Sequence, residues 1–340
     1  MVHGRVWAAI KDRVFVTEQP NERRARARLD EVLTSRQVVF VTGKGGVGKS
    51  VVSAALALRA QELGLRPVLF ECDAPARLSL LPGGKAMSAE VTEVVKGILG
   101  INQRSDDAIR DYAASTLPSK TVADLLFENR VARAFLKASP SVTEMAIIGR
   151  IALLAEMHGA DGPVIVDLHA TGHAVNLLRA PAGIMKVLQR GALFDRAAKI
   201  EELLQDPTRT AFVTVAVPEE LPVTELLELH DKLIELKAPI GPVIMNAFAS
   251  GAGDVDEATL TALIQHPGTR AAARDLRFLQ SQARRSLRER TRLFEALQQR
   301  YGEANLITLQ ARADDDGGLM ARRLADDLTR KIVPAAGGAT

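Results

Sequence analysis

Short runs of Val, Ile and Phe alternate along the chain with longer stretches in which apolar residues return every three or four positions. The first unit is RQVVFVTGKGGVGKSVVSAALALRAQELG at 36–64: a β-branched run, a glycine loop, then a helical spacing that Gly64 ends. LRPVLFECDAP at 65–75 follows as a second buried strand, stopped by Pro75. A strand–loop–helix–strand opening needs a crossover and so predicts a parallel sheet. Further strands are predicted at 162–168 (GPVIVDL), 209–217 (RTAFVTVAV), 238–248 (APIGPVIMNAF) and 305–309 (NLITL).

Between them the spacing is helical. From about 88 to 158 it reads as mostly helix, with segments at 106–115, 121–138 and 140–159, although EVTEVVKGILGIN at 90–102 also has the alternation of a strand. Helices are predicted near 174–206, at 222–236, roughly over 268–300, and at 318–332. In the 268–300 helix nine arginines stand against Asp275, Glu289 and Glu295, 9 − 3 = +6, while Leu276, Leu279, Ala283 and Leu287 share one face. That pattern predicts a helix packed on the core through the leucines, with a basic face in solvent. Residues 1–36 read as an N-terminal helical extension whose Arg-rich stretch, 21–33, is a solvated helix over one edge of the fold. Residues 37–332 are expected to form a single domain with helical elaborations near 103–158 and 174–206, and 333–340 to be a disordered tail. No internal repeat is present.

At 340 residues, 47% hydrophobic and 25% charged, the chain is long enough to bury a large core, and wholesale disorder is excluded. A net charge of +3 supports no nucleic-acid or membrane partner. The single cysteine, Cys72, cannot form an internal disulfide or a Cys-x-x-Cys pair; it reads as a small core residue. With no signal-peptide pattern and no apolar run of membrane-spanning length, the expectation is a cytoplasmic protein without an integral membrane segment.

Gly43–Ser50, GKGGVGKS, satisfies the phosphate-loop pattern G-x-x-x-x-G-K-[ST], and it sits where that chemistry needs it, between a strand and a helix. The glycines let successive backbone amides turn inward on phosphate oxygens, and the helix start adds partial positive charge. Gly43, Lys44, Gly45, Gly46, Val47, Gly48, Lys49, Ser50 and Val51 are therefore the candidate nucleotide-binding residues. Lys49 is expected at the β- and γ-phosphates and Ser50 on Mg²⁺, which makes ATP and Mg²⁺ the expected ligands on an α/β, P-loop NTPase-type sheet with a helical subdomain.

A second lysine, Lys44, gives the loop the form G-K-G-G-V-G-K-S. This resembles the deviant Walker A ATPases, in which the extra lysine reaches a partner's nucleotide across a dimer; the alternative is a solvated loop lysine. DLHATGHAVNLLRAP at 167–181 is similar to the switch II segment of the ArsA/Get branch, keeping Asp167, Thr171, Gly172, His173, Leu177, Leu178 and Pro181 in place. The resemblance implies that Asp167 holds the magnesium shell and that the Gly172 amide senses the γ-phosphate. Leu168 and His169 depart from it; His169 is a packing substitution or a proton-transfer participant. ECDAPARLSL places Asp73 at the position that orients or deprotonates the attacking water in that branch, with strand-end capping as the rival reading. Asn246 in VIMNAF matches the adenine-reading asparagine, and turn capping is again the rival.

The similarity covers most of residues 37–332, including TVAVPEELPVTEL at 214–226. It implies an ArsA/Get-like ATPase: a homodimer, or a heterodimer with a paralogue, that closes on ATP, reopens on hydrolysis and serves an unidentified protein client. Catalytic roles fall to Lys44, Lys49 and Asp73. One cysteine can neither bind arsenite through several thiols nor clasp zinc with a Cys-x-x-Cys pair, so metalloid pumping is not expected. The helical insert of about 35 residues between Asp167 and the strand at 209 is short for a hydrophobic client groove. Two other readings remain: a nucleotide-stabilised scaffold with negligible turnover, and a membrane-cycling positioning ATPase, which would need a C-terminal amphipathic anchor.

Overall fold

Val38–Gly43 (β1) is buried at every position. A strand covered on both faces has no solvent side to mark with polar residues, so its sequence reads as one continuous apolar run. The computed structural model describes residues 20–74, 81–116, 140–168, 171–248, 257–266, 268–311 and 317–329. Within them β1 lies between two parallel neighbours, pairing Val38 with Val164 on one side and with Thr210 on the other. The further strands are β2 (Val68–Cys72), β3 (Thr92–Val95), β4 (Ile98–Gln103), β5 (Val164–Asp167), β6 (Thr210–Ala216), β7 (Ile240–Phe248) and β8 (Leu306–Gln310). Their order across the sheet is β3-β4-β2-β5-β1-β6-β7-β8, parallel throughout except for the β3–β4 pair at one edge.

Ten helices among the described residues cover the sheet: α1 (Pro20–Ser35), α2 (Lys49–Glu62), α3 (Ser105–Thr116), α4 (Pro140–His158), α5 (Thr171–Val187), α6 (Ala192–Gln205), α7 (Glu220–Glu235), α8 (Glu257–Gln265), α9 (Arg270–Tyr301) and α10 (Gly317–Thr329). Alternation along the strands divides the core in two. Val38, Phe40, Phe70, Val166 and Phe212 meet α3–α7, while Val39, Val41, Leu69, Ile165 and Val213 meet α1, α2 and α10. Phe40 and Phe212 stack across β1 and β6 with centroids 4.7 Å apart, each fully buried and each worth roughly 2–3 kcal/mol of apolar transfer. No helix among the described residues is long and apolar enough to cross a membrane.

The mostly parallel α/β architecture is the one the sequence predicts, with three differences in its elements. First, the strand-like alternation at 90–102 belongs to two strands rather than one: Lys96–Gly97 turns the chain between β3 and β4, which pair antiparallel. Second, α1 is solvated on one face only. Ala25, Leu29, Val32 and Leu33 are buried, packing beside β7 and β8 and on α2. Third, α9 does not bury its leucine face. Leu279 is 62% and Leu276 38% exposed, whereas Ala273, Gln280 and Leu297 are the buried residues. The cause is that α9 is held mainly near its ends. Arg277 pairs with Glu257 of α8 near one; Leu293, Phe294, Leu297 and Tyr301 join the core near the other. The helices predicted near 174–206 are α5 and α6, separated at Leu188–Gly191. The helix predicted over 121–138, His169 and the 333–340 tail lie outside the described residues.

Candidate functional site

Three neighbouring strands, β2, β5 and β1, end at one edge of the sheet, and their carboxyl ends carry Asp73, Asp167 and the glycine loop in that order. A crevice at strand carboxyl ends is where open α/β sheets bind ligands. The loop's first glycine is required by packing: a Cβ on Gly43 would stand 2.1 Å from the Val215 carbonyl oxygen of β6. Gly48 has φ 90°, a left-handed conformation that costs a residue with a side chain, and it leads directly into α2. Val52 N–H donates to Gly48 O at 3.0 Å, so the amides of the preceding residues at the helix start remain directed toward the loop.

Lys49 is buried, and its ammonium donates to the Lys44 carbonyl at 3.0 Å, folding the side chain back under the loop. Burial holds the ammonium below its ordinary pKa, and the nearby Asp167 carboxylate acts the other way. Asp167 pairs in register with Val41, two residues before Gly43. Ser50 is exposed at the first turn of α2. A hydroxyl and a carboxylate are hard oxygen donors, the type Mg²⁺ takes in ones and twos while keeping waters and phosphate oxygens for its other positions. By donor type Ser50 and Asp167 thus fit such an ion.

Asp73 follows β2 with φ 46°, a left-handed conformation costing about 1 kcal/mol or more. Its backbone amide donates to Gln103 O at 2.9 Å. Its carboxylate accepts from the Ser105 amide at 3.0 Å and from the Ser105 hydroxyl, which places it at the N-terminus of α3, where negative charge is favoured. Asn102 clasps the next residue both ways, accepting from Ala74 N at 3.1 Å and donating to Ala74 O at 2.9 Å. Asp73, Ala74, Met87, Ser88, Asn102 and Arg104 line an open cleft of about 430 Å³. Capping is therefore real, but of a helix 32 residues away in sequence rather than of the strand's own end. Beside it, Cys72 is 7% exposed and burial pushes its thiol up to about 11, the profile of an inert core cysteine.

Asn246 lies at an irregularity between β7 and β8, where the register shifts between Met245 and Phe248 and Ala247 takes φ 52°. Its side-chain amide crosses to the loop and donates to Val47 O at 2.9 Å. Gly172 falls in the first turn of α5 and is exposed. Lys44 pairs with Glu225 of α7 at 3.1 Å. The structure thus gathers the glycine loop with Asn246, and Lys49 with Asp167. It adds three residues that were not singled out from sequence: Ser105, Asn102 and Glu225. Two polar residues just ahead of a helical spacing could have flagged Ser105 as a cap partner; Glu225 carried no local signal.

Comparison with known proteins bears on the same segments. The profile of the family described as Anion-transporting ATPase matches residues 36–197 and 191–257, well over half of the chain. An arsenical pump-driving ATPase of Escherichia coli is 26% identical over 241 residues, covering 69% of this chain and 39% of its own length. Another from Acidiphilium multivorum is 26% identical over 225 residues, 65% of this chain and 36% of its own. ATPase BagA of Mycobacterium tuberculosis is 26% identical over 225 residues, 63% of this chain and 66% of its own. The chain therefore spans under half the length of the arsenical pump-driving relatives.

Proposed function

Because this chain belongs to the anion-transporting ATPase family, we propose that it binds and hydrolyses ATP with Mg²⁺ and works as a dimer, two copies closing on ATP and reopening after hydrolysis. The observation that carries this reading is the row of strand ends that sets Asp73 and Asp167 beside a loop whose lysine is buried at a helix start. Lys49 and the loop amides hold the β- and γ-phosphates. Mg²⁺, when bound, supplies charge neutralisation at those oxygens, with Ser50 and Asp167 holding it. Asp73 orients a water in line with the γ-phosphorus. As the water oxygen bonds to phosphorus, the bond to the β–γ bridging oxygen breaks, ADP departs, and the water's proton passes to the Asp73 carboxylate.

Lys44 supplies its cation to the partner's phosphates, so the charge that stabilises the transition state arrives only on closure. Gly172 offers its amide to the γ-phosphate, and Asn246, already holding the loop through one N–H, reads the adenine edge with the rest of its amide. Closure and reopening transmit the nucleotide state to a protein client. The arsenical task in the relatives' names does not carry over to this chain's own residues: its one cysteine is buried, with its thiol pushed up to about 11.

Mixing two inactive variants tests the reading. Lys44→Ala keeps its own phosphate cradle and Asp73; Asp73→Asn keeps Lys44. In a mixed dimer the Lys44→Ala copy receives its neighbour's lysine, so one site of two recovers. Activity near half of wild type per mixed dimer is expected if the sites are independent. No recovery despite demonstrated subunit exchange would count against action in trans.

A further inference from the structure

Lys44 makes two unrelated contacts. Its carbonyl accepts from Lys49 Nζ at 3.0 Å, and its own ammonium lies 3.1 Å from Glu225 Oε1, both side chains about a third exposed or less (27% and 32%). Glu225 belongs to α7, a helix packed beside β1 and α5. The side chain is therefore mounted on the body of the same subunit, close to the loop but on another element. Val223 and Leu226, on either side of it in sequence, are buried in the core, which fixes the segment of α7 that presents the carboxylate.

We propose that Glu225 is a positioning residue for Lys44: it holds the loop's second lysine in cis in the single subunit and yields it when a second copy of this chain closes over ATP. The inference rests on the trans reading given above. The Lys44 ammonium has three N–H donors on a flexible stem, but Glu225 draws it at 3.1 Å onto the body of its own subunit, so reaching a partner's phosphates means leaving that carboxylate. Closure must exchange one carboxylate for a polyphosphate, and a symmetric dimer makes that exchange twice. Glu225 thus sets a threshold against closure. A partner site carrying the full charge of ATP and its γ-phosphate competes for the lysine better than one carrying ADP, so the same carboxylate favours reopening after hydrolysis. For partly exposed pairs the exchange is worth up to about fivefold per subunit, hence between about two- and twenty-fivefold per dimer.

Two measurements test this on the full chain. Sedimentation velocity with ATP and Mg²⁺ in the Asp73→Asn background should show Glu225→Gln lowering the concentration for half-dimerisation by about two- to twenty-fivefold. Glu225→Asp should return it toward the unmodified residue, and the effect should vanish when Lys44→Ala is added. An unchanged or raised midpoint, or the same shift without Lys44, overturns the proposal. Second, a carbodiimide should join Lys44 to Glu225 in nucleotide-free protein, within one chain when labelled and unlabelled copies are mixed. Adding ATP and Mg²⁺ to Asp73→Asn should reduce that product severalfold; a yield indifferent to ATP overturns the proposal. Wild-type turnover by Lys44→Ala would overturn the trans reading and this proposal with it. An inactive Lys44→Ala combined with an unmoved Glu225→Gln would overturn the proposal alone.

Discussion

The side-chain nitrogen of Asn246 stands 2.4 Å from the point a Cβ on Gly48 would occupy, and it donates to the neighbouring Val47 carbonyl at 2.9 Å. The loop's last glycine and the residue at the end of β7 are therefore shaped for each other. Asn246→Ala removes one hydrogen bond and should weaken ATP binding by about two- to tenfold. Gly48→Ala adds a clash to a left-handed φ and should weaken it further. The double variant should bind better than Gly48→Ala alone, because removing the amide makes room for the methyl. Calorimetry giving equal affinities for the two would separate Asn246 from the loop.

Asp73 has a structural duty besides its proposed chemical one, so the choice of replacement matters. Asp73→Asn keeps a carbonyl oxygen for the Ser105 amide and should leave ATP binding intact while turnover falls by about a hundredfold or more. Asp73→Ala should in addition lose about 0.5–2 kcal/mol of stability through the uncapped α3. Phosphate release at an unaltered rate in Asp73→Asn would assign the water elsewhere.

His230 gives the fold an acid limit. Fully buried, it shares a hydrogen with Thr214 Oγ1 at 2.9 Å and meets the Tyr301 ring edge-on. Burial, helped by Arg300 and opposed by Asp231, lowers its pKa from 6.5 to about 4. The unfolded chain thus takes up a proton between about pH 6.5 and 4 that the folded chain refuses, so stability falls as pH drops through that window and is flat above it. The loss amounts to about 3 kcal/mol at its fullest. Urea melts at pH 7 and 4.5 should show a smaller pH-dependent loss in His230→Asn than in wild type; identical losses would contradict the assignment.

Leu29 is 1% exposed on α1. Leu29→Ala should cost about 2–5 kcal/mol, read as a lower urea midpoint with an unchanged slope. A cost within a few tenths would mean that α1 is an appendage after all.

Much of this architecture is legible in the chain because its central strands are buried on both faces, and Val-Val-Phe-Val or Val-Ile-Val-Asp has little else to be. The phosphate loop is legible for a related reason: few other sequences would put so many glycines between a strand and a helix. What escaped reading depends on neighbours far along the chain. The β3–β4 turn at Lys96–Gly97 looked like one strand inside a helical region because its alternation continues through it. On α9, Leu279 lies in solvent while Ala273 and Gln280 are buried, since the supports near the helix ends, rather than residue hydrophobicity, decide which side is covered. Asn246 meets a carbonyl 199 residues away, and no local pattern announces such a meeting.

Helix α2 is gripped from both directions along the chain. Arg59 takes Asp30 of α1 through two contacts of 2.7 and 2.9 Å, while Glu62 takes Arg322 of α10 at 3.2 Å, with Leu324 and Leu328 packed in the same core as Leu29 and Leu33. The first and last described helices therefore brace the helix that starts at the phosphate loop. Under tension applied at Pro20 and Thr329, the chain should shed α1 and α10 before any strand parts from its neighbours. The grip on nucleotide would then fail at a lower force than the sheet, making the site the mechanical fuse of the molecule.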